Sequence, residues 1–148
     1  MAEQAENFWG GHGFCWACRV FDRVTPGFIV TQDETVAVVV NPFPLSRGHV
    51  LVIPRRHVEN IYELPDALAG PILSMAARVA RAAKRVLAAD GVTLRQNNDA
   101  ASDQHLFHFH LHVIPRFAGD GERFNAPVQQ ISTEEQATIG ERLRAALL

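Results

Sequence analysis

The alternation of residue types between positions 106 and 114 constrains the fold of this chain more than any other feature. Every second residue is a histidine: His108, His110 and His112. The residues between them are apolar: Phe109, Leu111 and Val113. Because successive side chains of a strand point to opposite faces, the pattern predicts a strand with one apolar face and one imidazole face. We therefore expect a sheet that packs on a core on one side and carries histidines on the other.

The rest of the chain predicts an α+β domain with a mostly antiparallel sheet. Strand-like runs rich in β-branched residues occur at 27–32, 36–40, 49–54 and 93–97. Between 67 and 89 the apolar residues recur every three or four positions, which predicts one long central helix that ends near Gly91. Ser132 and Glu135 form a capping box for a C-terminal helix. This order of strands and helices is typical of the α+β class.

Length and charge limit the classes of protein further. The 148 residues fit a single domain, with a flexible N-terminal arm over 1–13, a motif-bearing core over 14–117 and a C-terminal extension over 118–148. The formal net charge of -2 argues against binding of nucleic acid by bulk electrostatics. No run approaches the roughly 18 apolar residues of a membrane span, and two cysteines are too few for a disulfide framework. We expect a cytoplasmic protein without a membrane or nucleic-acid partner.

The row of imidazoles suits two kinds of chemistry. Neutral imidazole is a good zinc ligand, and near neutral pH it also acts as a nucleophile or as a general acid and base. Adjacent histidines on one strand face lie about 6 to 7 Å apart. A row of solvent-facing histidines without a role is the remaining alternative, and three on one face make it the least favoured.

Cys15 and Cys18 form a C-x-x-C pair. Such a pair by itself is compatible with a metal site, a redox site or an incidental spacing of two cysteines. A tetrahedral zinc needs two further ligands, for which His57 and His108 are candidates. Four protein ligands would leave no open position, so such a site would be structural. A redox C-x-x-C is disfavoured because it normally opens a helix after a strand, whereas this pair follows a glycine-rich segment.

Several motifs together resemble one known family. The run HFHLHVIPR at 108–116 resembles the H-x-H-x-H signature of the histidine triad (HIT) family of nucleotidyl hydrolases and transferases. The run FCWACRV at 14–20 is similar to the opening motif of that family, and 41–57 is similar to its central segment. Asn97 and Gln104 lie at the distances before the triad that the family shows. The resemblance covers about 14–117.

The resemblance implies a HIT-like fold with a mostly antiparallel five-stranded sheet, one long central helix and a C-terminal helix, assembled as a homodimer. It implies one structural zinc per chain, bound by Cys15, Cys18, His57 and His108. His110 corresponds to the nucleophile of the family, and His112 and His49 correspond to residues that assist at the phosphates and the leaving group. No catalytic metal is implied. The residues implied to contact the substrate are Asn41, Asn97, Gln104, Trp16, Val20 and Val39.

The implied reaction is hydrolysis at the α-phosphorus of a purine nucleotide, either a phosphoramidate or a dinucleoside polyphosphate, through a nucleotidyl-histidine intermediate. A zinc-stabilised nucleotide-binding or signalling module with little turnover is the alternative. A uridylyltransferase of the wider superfamily is disfavoured, because those enzymes have glutamine where this chain has His112.

Asp103 and His105 depart from the family pattern, which has glycine and serine or threonine there. A carboxylate at 103 would repel a phosphate unless it turns outward or pairs with His105.

Overall fold

A five-stranded antiparallel sheet forms the centre of the computed structural model, which describes residues 8–10, 14–121 and 128–147. The strands are β1 (Ile29–Gln32), β2 (Val36–Val40), β3 (Val50–Pro54), β4 (Gly91–Arg95) and β5 (Leu111–Arg116). Their order across the sheet is β1-β2-β3-β5-β4, and every neighbouring pair is antiparallel. The α+β class and the five-stranded antiparallel sheet predicted from the sequence are confirmed.

The helices are α1 (Trp16–Phe21), α2 (Asp66–Val86) and α3 (Thr133–Leu147), with short 3-10 turns at Ile61–Glu63 and Ala100–Ser102. Cys15 caps the N-terminus of α1, because its Sγ accepts a hydrogen bond from the Cys18 backbone N–H. The Ser132 hydroxyl accepts from the Glu135 N–H at 3.1 Å, as the capping box predicts. None of the described helices combines the length and the apolar character needed to cross a bilayer.

The two faces of the sheet pack against different elements. One face, which we call the helix face, forms a core with α2 and α3 that includes Val38, Val52, Val113, Met75 and Leu143. The opposite face, which we call the α1 face, packs against α1 and the segment before it; its buried residues are Trp9, Trp16, Ala17, Val20, Val39, Leu51, Ile53 and Leu106. His112 is the cross-strand partner of Leu51, so it lies on the α1 face.

The predicted start of the histidine strand is wrong, although the alternation of faces is confirmed. The strand begins at Leu111, and His108 and His110 lie in the irregular segment before it. The backbone of that segment is held by the Phe109 N–H, which donates to Val58 O at 2.6 Å. The Phe109 ring packs into the core of the helix face, so the flanking histidines still point to the α1 face.

The predicted end of the long helix is also wrong. The helix ends at Val86, and Ala88 adopts the left-handed conformation with φ 54°. The Asp90 N–H donates to Arg116 O at 2.8 Å, and Gly91 is already paired with Arg116 in the sheet. Gly91 therefore opens β4 and does not cap the helix.

Candidate active site and metal site

Four side chains from three parts of the chain form a group that fits a zinc ion: Cys15, Cys18, His57 and His108. Their donor atoms all lie within 4.8 Å of one another. Cys15 Sγ is 3.3 Å from His108 Nδ1, and Cys18 Sγ is 3.5 Å from His57 Nδ1. Ligand atoms of a tetrahedral zinc lie roughly 3.3 to 3.8 Å apart, given bonds of about 2.0 to 2.3 Å. Two sulfurs and two nitrogens are a donor set that zinc prefers.

His108 is oriented as a metal ligand by the backbone. Its Nε2 lies 2.7 Å from Pro54 O, and a carbonyl can only accept, so Nε2 carries the proton. The lone pair is therefore on Nδ1, which faces both cysteine sulfurs. Burial lowers the pKa of His108 to about 4, which keeps the ring in the neutral form that binds a metal.

The cysteine pair does not have the electrostatics of a reactive dithiol. Burial, followed by contact with the Cys15 thiol, raises the pKa of Cys18 to about 12. Redox-active C-x-x-C pairs depend on a lowered thiol pKa, whereas a divalent cation stabilises thiolates directly. The raised pKa of Cys18 therefore disfavours thiol exchange.

His110 is held with its free lone pair on Nε2. Its Nδ1 lies 2.7 Å from His108 O, so Nδ1–H donates to that carbonyl. The side chain is 6% exposed, and burial is the main cause that lowers its pKa. A neutral imidazole with a fixed tautomer is the form that can attack an electrophile.

His49 and His112 form a chain of hydrogen bonds with a single consistent direction. The Leu45 backbone N–H donates to His49 Nδ1 at 2.9 Å, so the His49 proton is on Nε2. His49 Nε2 then donates to His112 Nδ1 at 2.8 Å, which leaves the His112 proton on Nε2. Burial lowers the pKa of His49 to about 3 and lowers that of His112 well below its usual value. The ring centroids of His112 and His110 are 4.9 Å apart.

Asn41 lies beside this chain, directly after β2. Its Oδ1 accepts from the Phe43 N–H at 2.8 Å, and its Nδ2 is 3.3 Å from His49 Nε2. Asn41 Nδ2 and His49 Nε2 both carry hydrogen and neither can accept, so the contact between them is not a hydrogen bond. The Asn41 amide hydrogens are therefore available to an oxygen acceptor at the edge of the site.

Gln104 and Asn97 brace the turn before the histidine segment. Gln104 Nε2 donates to Glu59 O at 2.8 Å and to Leu106 O at 3.1 Å, which uses both of its amide hydrogens. Asn97 Nδ2 donates to Ser102 O and keeps one hydrogen. In this conformation the Gln104 amide has no free donor for a phosphate.

The apolar side chains predicted to contact the substrate, which are Trp16, Val20 and Val39, are buried together on the α1 face. Trp9 covers Trp16, with ring centroids 4.9 Å apart, and Phe8 packs edge-on against Phe43. Trp16 is only 1% exposed, and its Nε1 has no hydrogen-bond partner among the described residues.

Sequence reasoning missed two features of this site. Phe8 and Trp9 lie in the segment expected to be a flexible arm, and they pack against Trp16 and Phe43; their aromatic character was the available signal. The other is Arg95, the cross-strand partner of His112. No sequence signal reveals that pairing, because it depends on the register of β4 against β5.

Comparisons with known proteins agree with this geometry. The HIT domain family matches residues 22–119. A Zn-bound histidine triad family protein from Mycobacterium smegmatis is 34% identical, with a TM-score of 0.76 over 88% of this chain and 90% of that chain. A hypothetical histidine triad nucleotide-binding protein from Sulfolobus tokodaii is 29% identical, with a TM-score of 0.81 over 90% of this chain and 91% of that chain. The adenylylsulfatase HINT3 of Arabidopsis thaliana is 30% identical over 69% of this chain and 52% of its own length. The chain belongs to the HIT family.

Proposed function

We propose that the protein hydrolyses a purine nucleotide at the α-phosphorus, by transfer of the nucleotidyl group first to His110 and then to water. The orientation of His110 carries the proposal, because His108 O holds the proton on Nδ1 and leaves the Nε2 lone pair for attack. The names of two similar proteins, one nucleotide-binding and one an adenylylsulfatase, support the substrate class and the type of reaction.

In the first half-reaction the Nε2 of His110 forms a bond to the α-phosphorus. The bond from phosphorus to the leaving group breaks, and its electron pair goes to the leaving atom. The His112 Nε2–H donates a hydrogen bond to that atom, which takes its proton from solvent. His49 supports this step, since its Nε2–H keeps the His112 proton on the outward nitrogen.

In the second half-reaction water attacks the phosphorus of the nucleotidyl-histidine. The nitrogen–phosphorus bond breaks, and its electrons return to His110 Nε2. The attacking water gives up a proton to solvent, and nucleoside monophosphate is released. The low pKa of His110 and His112 keeps both rings neutral at the start of each cycle.

The remaining residues have binding and structural roles in this proposal. The Asn41 amide donates to the ribose, and the base lies against the cluster of Trp16, Val20 and Val39. Asn97 and Gln104 hold the loop that precedes the histidines. Cys15, Cys18, His57 and His108 would hold one structural zinc, which would join α1 to the sheet.

We also propose that the protein is a cytoplasmic homodimer that uses α2 and β4. Leu73 on α2 is 57% exposed and Leu94 on β4 is 46% exposed. Burial of these side chains between two copies would remove apolar surface from water. Sedimentation equilibrium of the wild type and of Leu94→Glu tests this, since the dimer predicts a lower mass for the variant.

The test of the function is product analysis after incubation with adenosine phosphoramidate, diadenosine polyphosphates and adenylyl sulfate. AMP from the wild type, none from His110→Ala and an adduct of the mass of AMP on the quenched wild type would support the mechanism. Equal zinc content and equal urea midpoints would show that the variant is folded. If neither protein turns over any substrate while both bind AMP, the alternative of a nucleotide-binding module takes the place of the hydrolase.

A further inference from the structure

Arg95 lies beside the histidine row, at the edge of the sheet. In the β4–β5 register Arg95 is directly opposite His112. Opposite residues of an antiparallel pair project to the same face with Cβ atoms about 4.5 to 5.5 Å apart. Arg95 therefore lies on the α1 face beside His112, and its side chain is exposed.

The Arg95 guanidinium is available to a ligand. Within the part of the chain that the structure describes, it has no ion pair and no hydrogen bond. An exposed cation this close to a phosphate-transfer site is a candidate anion-binding group.

The nearby acidic residue does not neutralise this charge. Asp103 is exposed, adopts a left-handed conformation with φ 63° and forms no ion pair with any described residue. The charged side chain paired with His112 across the strands is therefore that of Arg95.

The sheet order places Arg95 at the end of the site opposite the proposed base contacts. Val39 lies on β2, Leu51 on β3, His112 on β5 and Arg95 on β4, all on the α1 face. Neighbouring strands are about 4.8 Å apart, so these four residues form one row across the sheet. A nucleotide with its base near Val39 and its α-phosphorus at His110 directs its leaving group toward β4.

We propose that Arg95 binds the leaving group of the substrate, so that an anionic phosphate leaving group, here tested with diadenosine tetraphosphate, is preferred over the neutral amine of a phosphoramidate. The inference rests on the proposed function. In the first step the bond from His110 Nε2 to the α-phosphorus forms, and the bond from that phosphorus to the bridging oxygen breaks. The electron pair goes to the bridging oxygen of the leaving phosphate, to which the His112 Nε2–H donates a hydrogen bond. Arg95 stabilises the remaining phosphate charge, whereas a departing neutral amine carries no charge for it to bind.

The test compares kcat/KM for diadenosine tetraphosphate and adenosine phosphoramidate in the wild type, in Arg95→Gln and in Arg81→Gln. Arg81 is an exposed arginine on α2, which packs on the opposite face of the sheet, so its variant controls for the loss of one charge. Loss of a charge-assisted hydrogen bond predicts that Arg95→Gln lowers the ratio of the two kcat/KM values by about 10- to 100-fold. Arg81→Gln leaves the ratio unchanged. An unchanged ratio in Arg95→Gln, at equal urea midpoints, overturns the proposal.

A binding measurement separates this inference from the proposed function. The probes are AMP and a methylene-bridged dinucleoside tetraphosphate that cannot be hydrolysed at the bridge. Arg95→Gln is expected to weaken binding of the bridged probe at least fivefold more than binding of AMP, even if the wild type hydrolyses nothing. Equal weakening of both probes would show that Arg95 does not recognise the leaving phosphates.

Discussion

The Nε2 atom of His49 lies 2.8 Å from the Nδ1 atom of His112. The direction of this hydrogen bond follows from the Leu45 N–H, which occupies the other nitrogen of His49. A backbone amide thus decides, through one buried imidazole, which nitrogen of His112 carries a proton. His49 acts on the reaction through His112 and is a positioning residue.

His49→Gln is expected to lower kcat about 10- to 100-fold, because the proton on His112 is no longer held on the outward nitrogen. The loss should be larger for a substrate whose leaving group needs a proton, such as adenosine phosphoramidate, than for the p-nitrophenyl ester of AMP. Steady-state kinetics on both substrates measure the difference. Equal losses on the two would mean that His49 contributes only to packing.

The free energy of unfolding is expected to fall below about pH 6.5. In the unfolded chain His49 and His112 bind protons near their ordinary pKa, whereas burial keeps them neutral in the folded chain to lower pH. The unfolded state therefore takes up more protons as the pH falls, and it gains stability. These two histidines alone account for a loss of about 2 kcal/mol between pH 7 and pH 5.5, and the lowered pKa of His108 and His110 adds to it.

Urea unfolding at several pH values measures this loss. His112→Gln removes one of these two histidines. Between pH 7 and pH 5.5 the free energy of unfolding of the variant should therefore fall by about 1 kcal/mol less than that of the wild type. Comparison of the two proteins cancels any shared effect of metal release. Parallel pH profiles would contradict the assignment of His112 as a buried neutral histidine.

Removal of the proposed zinc is expected to reduce both stability and activity. Metal analysis should find about one zinc per chain in the wild type and much less in Cys18→Ser. The variant should melt about 10 °C lower or more, given a loss of several kcal/mol for a structural site. Activity should fall as well, because His108 supplies both a ligand and the carbonyl that orients His110. Full zinc occupancy in Cys18→Ser would exclude this ligand set.

Trp9→Ala is expected to tighten binding of AMP about 3- to 10-fold. Trp9 covers Trp16 in the structure, so a base that contacts Trp16 must displace it, and a conformational cost of this kind weakens apparent affinity. Isothermal titration calorimetry measures the change, and Trp9→Phe, which keeps an aromatic cover, is the matched control. Weaker binding by Trp9→Ala would show instead that Trp9 itself contacts the base.

The sequence predicts the chemistry of the site better than its arrangement. The alternating histidines are a local pattern, so the two faces of the histidine segment follow from spacing, whereas the group of Cys15, Cys18, His57 and His108 is predicted from ligand chemistry and the family resemblance together. The opposition of Arg95 and His112 depends on strand register, which no local pattern encodes. The packing of Trp9 on Trp16 depends on a tertiary contact of a glycine-flanked segment, which resembles a loose arm when read alone.

The start of β5 is another feature that local sequence patterns do not determine. Residues 106–110 have the composition of a strand, yet Gln104 and the Phe109 N–H bind carbonyls outside the sheet, and these contacts prevail over local propensity. Gly91 was interpreted as a helix terminator, whereas pairing with Arg116 places it in β4. In both cases a long-range hydrogen bond decides between two local options.

Phe109 separates the zinc ligand His108 from the nucleophile candidate His110, and its ring is buried on the other side of the sheet among residues such as Val58 and Met75. The two histidines are therefore aligned by a side chain that no substrate touches. A random mutagenesis screen for inactive protein is expected to recover substitutions in that core, far from any nucleotide. Engineering of a new substrate preference would accordingly begin at Arg95 and leave the helix face unchanged.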